Sequence, residues 1–127
     1  MHPIFLLLST VSAFLAVAMG AFGAHALKAV LAPEMLLVYK TAVTYQMWHA
    51  LGLGFIALLR QQHPAERIIV YAGWLMFTGI ILFSGSLYLL SLSGVKWLGM
   101  ITPIGGVCFL SAWLLIIIFS FKACNTS

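Results

Sequence analysis

Four apolar runs decide what this chain can become: Ile4 to Ala24, about Thr41 to Leu59, Ile68 to Leu92, and about Met100 to Phe121. Each is 19 to 25 residues long, and a helix needs about 20 residues to cross a hydrocarbon layer of roughly 30 Å. Composition points the same way. Of the 127 residues, 64% are hydrophobic and 6% charged, where a soluble domain carries about 25% charged residues to cover its surface. The expected fold is all-α: a polytopic membrane protein, a four-transmembrane-helix antiparallel bundle, with residues 1–127 forming a single membrane domain.

The breaks between the runs, His25–Lys40, Arg60–Arg67 and Ser93–Gly99, are short enough to join antiparallel neighbours. The first run reads as a retained span rather than a cleaved signal. It is 21 residues long with no Lys or Arg before it, whereas a signal core has about 7–15 residues behind a basic start. Four spans put both termini and the middle break on one side. That side carries Arg60, Arg67 and Lys122, and the other carries Lys28, Lys40 and Lys96. The arginine pair in the short middle break favours cytoplasmic termini.

The net charge of +4 is spread singly over the ends of apolar runs. That is the placement of headgroup anchors, so membrane lipid is the expected partner and nucleic acid is not. Cys108 and Cys124, about 24 Å apart along one helix, are too distant to pair.

Sequence position converts to depth. His49 falls near the centre of the second run, with Tyr45 and Gln46 about 6 and 4.5 Å further toward the side of the first and third breaks. The third run travels back, which brings Ser84, Ser86 and Tyr88 into that same half. Thr102, Pro103, Gly105 and Gly106 open the fourth run there, and His25 closes the first at the membrane interface. On helix two, Thr41, Tyr45, His49 and Gly52 span about 80° of arc, with Ala42 and Gln46 at its edge. Polar groups at this depth face the bundle interior or a watery cavity. The expected site is a polar pocket in one leaflet, lined by His49, Tyr45, Gln46, Ser84, Tyr88 and Thr102. Along helix one, Ser9, Ala13, Ala16, Gly20, Gly23 and Ala24 form a small-residue stripe suited to close packing or to a homo-oligomer. A regular helix sets His25 roughly opposite that stripe, so either the Gly20–Gly23 segment unwinds or His25 points to headgroups.

Other chemistries fit poorly. His25 lies about 16 Å from the bilayer centre, where His49 sits, and metal ligands must converge to about 2 Å, so neither metal nor cofactor is expected. Glu34 and Glu66 fall on opposite sides. Ser84 or Ser86 with His49 resembles part of a nucleophile–base pair but has no third, orienting group.

The strings GAFGAH (20–25), TYQMWHALGL (44–53), LFSGSLY (82–88) and TPIGG (102–106) resemble the YgdD/YwdK-like family of small bacterial inner-membrane proteins, a domain of unknown function numbered 423. The resemblance implies a bacterial plasma-membrane protein with several spans and implies no activity. Some relatives carry an acid just before the Tyr-Gln pair. Thr44 stands there here, which speaks against an ion-coupling carboxylate. The expected function is binding or passage of a small solute, ion or lipid through the polar pocket. The rival expectation is a structural or accessory protein whose polar groups knit the helices together, and an intramembrane enzyme ranks behind both.

Overall fold

The computed structural model describes residues 3–126. Four long helices are present among them: α1 (Ile4–Leu27), α2 (Pro33–Gln62), α3 (Arg67–Ser93) and α4 (Thr102–Thr126). Each is long and apolar enough to cross a membrane. The termini of the helices are set by local chemistry. Pro33 occupies the first turn of α2, where its missing N–H is no loss, and Glu34 complements the helix dipole beside it. Pro64 holds His63 out of the helical region, which ends α2 at Gln62. Gly94, in the left-handed region at φ 74°, closes α3 by donating its N–H to the Leu90 carbonyl at 2.8 Å. A short 3-10 turn, Lys96–Met100, leads into α4.

The second helix is longer than its apolar run. It starts at Pro33 rather than near Thr41, so Glu34, Tyr39 and Lys40 belong to it and the first connection shrinks to residues 28–32. Nothing between Pro33 and Gln62 breaks a helix, and a 30-residue helix is about 45 Å long. Its ends therefore project past the hydrocarbon, where a lysine or glutamate is well solvated.

The extensive helix contacts run α1 on α2, α2 on α3, and α3 on α4. An apolar core fills the half of the bundle nearer the termini. There Leu53 and Ile56 of α2, Ile69 and Met76 of α3, and Ile116 and Phe119 of α4 pack together. Phe5 joins from α1, its ring lying where a Cβ on Gly73 would be. At the same end Lys122 pairs with Glu66 at 3.5 Å. The other half of the bundle is held by polar contacts.

Within the four helices, two segments depart from α geometry. Residues Gly23–Leu27 and Ile80–Ser84 wind as π-turns, one ending α1 and the other interrupting α3. The first resolves the two alternatives for His25. The helix widens by one residue per turn rather than unwinding, and His25 stays exposed. The small-residue stripe meets α2: Ser9, Ala16 and Gly23 are buried, and a Cβ on Gly20 would lie 3.3 Å from Val43. Ala24, beyond the π-turn's start, is exposed.

Candidate functional site

The buried face of α2 runs through Tyr39, Ala42, Gln46, His49 and Leu53. Thr41, expected on this face, is exposed, and Tyr45 is half-buried at its margin. The polar side chains on the face reach different neighbours and divide into two groups.

Gln46 is the centre of the first. Its Nε2 donates to the Ser12 carbonyl of α1 at 2.9 Å, and its Oε1 accepts from the Tyr88 hydroxyl of α3 at 2.6 Å. One amide thus ties three helices. Tyr39 packs edge-on against Tyr88, with ring centroids 5.3 Å apart, and donates its hydroxyl to the Met19 carbonyl at 2.6 Å. Its ring occupies the space a side chain on Gly23 would need, 2.4 Å from an ideal Cβ. Around this group Ser84 donates to the Ala42 carbonyl at 2.8 Å, while Ser86 and Thr102 share a hydrogen bond of 2.6 Å between α3 and α4.

The second group lies deeper. Trp113 Nε1 of α4 donates to His49 Nε2 at 3.1 Å, and His49 Nδ1 lies 2.8 Å from the Tyr45 carbonyl. An indole N–H can only donate and a carbonyl can only accept, so Nε2 offers its lone pair and Nδ1 carries the proton. The imidazole is therefore neutral and has both nitrogens engaged. Phe109 stacks on it with centroids 3.5 Å apart and planes 8° from parallel. Tyr45 leans on Phe83 at 4.5 Å and on Trp48 at 5.0 Å, and its hydroxyl makes no hydrogen bond among the described residues.

The structure thus brings Gln46 to Tyr88, sets Thr102 against Ser86, and places Ser84, His49 and Tyr45 with three further sets of partners. The expected single pocket is replaced by closed contacts. The surface grooves beside the C-terminal end of α2 and along α4 involve none of the six residues. No buried side-chain nitrogen or oxygen among the described residues lacks a partner. Serine and histidine do not pair: the Ser84 hydroxyl is turned to a carbonyl and His49 to an indole. Among the described residues no three His, Cys, Asp or Glu side chains converge as a metal would require.

Two participants escape a reading of the sequence. Tyr39 sits seven residues before Gln46, two turns along the same face, but reads as part of the first connection. Trp113 lies eleven residues into α4, about 16 Å from its start and so at the depth of His49. A tryptophan in an apolar run nonetheless reads as lipid-facing.

Fold and site together define a small multi-pass membrane protein whose helices are joined by intramembrane hydrogen bonds. The family is identified by comparison: the chain belongs to the family described as Protein of unknown function (DUF423), whose model matches residues 19–106. The UPF0382 membrane protein YwdK of Bacillus subtilis is 46% identical over 119 residues, covering 94% of this chain and 97% of that one. The UPF0382 membrane proteins SAB0533 of Staphylococcus aureus and SERP0230 of Staphylococcus epidermidis are 46% and 45% identical, over 94% of this chain and 96% of each. No solved structure matches.

Proposed function

We propose that the protein is a non-enzymatic structural or accessory component of the bacterial plasma membrane, in which the polar interior locks four helices together. The observation that carries this reading is the saturation of that interior: Gln46, Tyr88, Tyr39, Ser84 and His49 each spend their polar atoms on another helix or on their own backbone. In this reading both termini face the cytoplasm, an orientation supported by Arg60 and Arg67 in the short middle connection. The outer faces of α1 and α4, which take no part in the extensive helix contacts, serve lipid or further copies of the chain.

His49 provides the test. His49→Leu removes the acceptor for Trp113 and the stacked ring on Phe109, and it is expected to lower unfolding stability in detergent by about 1–2 kcal/mol. Trp113→Phe should lose a similar amount, and the double variant less than the sum. A His49→Gln protein that unfolds like the wild type yet loses a cellular phenotype would defeat the structural reading.

A second reading, binding or passage of a small solute, ion or lipid, is favoured by the two π-turns. They flank the Tyr39–Gln46–Tyr88 group, and such turns recur at functional sites. Passage would require the Gln46–Tyr88 hydrogen bond to open. Accordingly, Thr41→Cys at an exposed position and Gly85→Cys, where a new Cβ meets nothing within 4 Å, should change in accessibility together when solute is added. Unchanged labelling across a panel of ions and small solutes would remove this reading.

A further inference from the structure

Two depressions meet at Arg60. One, of about 320 Å³, lies between the start of α1 and the end of α2, walled by Phe5, Leu6, Ala57 and Leu58, with Arg60 and Gln61 at its polar end. The other, of about 500 Å³, lies beside the middle connection and is lined by Arg60, Pro64, Arg67 and Tyr71. The geometry points to a binding site for one anionic phospholipid. An acyl chain lies in the apolar groove between α1 and α2, and the headgroup phosphate sits at Arg60 with Arg67 and Tyr71 beyond it.

Depth and charge support this occupant. The groove walls belong to the hydrocarbon layer, where Leu6 and Leu58 are 48% and 58% exposed, and Arg60 stands where the apolar run of α2 ends. Basic residues at that level attract anionic lipid. Among the described residues neither arginine is neutralised. Glu66 is taken by Lys122 in the one ion pair among the described residues, and Glu34 belongs to the opposite end of α2. Arg60 donates one Nη1 hydrogen to the Pro64 carbonyl, which braces the guanidinium across the connection and leaves its other N–H groups for a phosphate. A zwitterionic head would bring an ammonium toward two arginines, so the site discriminates against it. A soluble anion has no use for the apolar wall.

Native mass spectrometry of the full chain, released from detergent with equal amounts of phosphatidylglycerol and phosphatidylcholine, tests the site. One phosphatidylglycerol adduct is expected, preferred by roughly twentyfold, and Arg60→Gln and Arg67→Gln should each lower the preference about fivefold. Leu6→Trp, at an exposed wall position, fills the groove and should remove the adduct with all charges retained. Lys96→Gln, on the other side of the membrane, should leave it unchanged. Parity between the two lipids in the wild-type chain would overturn the assignment, as would an adduct that survives in the double arginine variant. Loss with the arginine changes but not with Leu6→Trp would reduce the effect to surface attraction and overturn the groove. Displacement of the adduct by excess inorganic phosphate would show a simple anion site instead.

Discussion

Gly105→Ala is expected to destabilise the protein by about 2–3 kcal/mol, while Gly106→Ala, one residue on, changes stability by less than about 0.5 kcal/mol. The difference lies in what each new methyl group meets. An ideal Cβ on Gly105 falls 2.4 Å from the Phe83 backbone nitrogen and 2.8 Å from its Cα. These are main-chain atoms of α3, which cannot rotate away as a side chain could, so α3 and α4 must separate. At Gly106 the nearest atom is a ring carbon of Phe83 at 4.0 Å, an ordinary contact. Separation would not stay local. Gly79 is within reach of the Gly105 carbonyl and of Phe109, whose ring stacks on His49, so the Trp113–His49 bond should weaken as well. Unfolding of the two purified variants in mixed micelles, followed by tryptophan fluorescence, checks the ordering. Equal stabilities would mean that α3 and α4 do not approach as closely as described.

The four spans were legible because their cause is a bulk property: long runs of apolar residues partition into lipid whatever their neighbours are. The start of α2 was not. Glu34 and Lys40 interrupt the apolar pattern, but a helix can continue through the headgroup layer, and no glycine or proline between Pro33 and Thr41 offers a turn. Depth was readable for the same reason as the spans. Contacts join residues counted to similar depth: Gln46 meets Tyr88, Ser86 meets Thr102, and Ser84 meets the Ala42 carbonyl. Azimuth was the difficulty. Tyr45 and His49, four residues apart, read as one wall, yet Tyr45 lies at the margin while His49 is buried against α4. Which of two adjacent positions faces which neighbour depends on helix order and rotation, and these are fixed by the glycine contacts and the π-turns. A π-turn shifts every later side chain by about 100° relative to a regular helix. No single-sequence pattern marks it.

Gln46→Leu should lower stability by about 2–3 kcal/mol, a large effect for a substitution that keeps volume and raises hydrophobicity. In a water-soluble core such an exchange can be nearly neutral when both partners become apolar. Here only one does. The Tyr88 hydroxyl loses its 2.6 Å acceptor in a half-buried position, and the Ser12 carbonyl loses a donor from α2. Interhelical hydrogen bonds in lipid are individually modest, about 0.6–2 kcal/mol, since an unpaired group can find another partner. The leverage of Gln46 comes from serving two helices with one side chain. Tyr88→Phe removes a single bond and should lose about 1 kcal/mol. In the double variant no orphaned hydroxyl remains, so its loss should fall short of the sum by about 1 kcal/mol, the coupling between the two residues. Tyr39→Phe, which frees the Met19 carbonyl but leaves the Tyr88 contact in place, should add its effect to that of Gln46→Leu without coupling of that size. Additive losses for Gln46→Leu and Tyr88→Phe, measured by the same unfolding transition, would show that the amide and the phenol are not joined in the bilayer. The three-helix lock, and with it the structural reading of the polar interior, would then have to be abandoned.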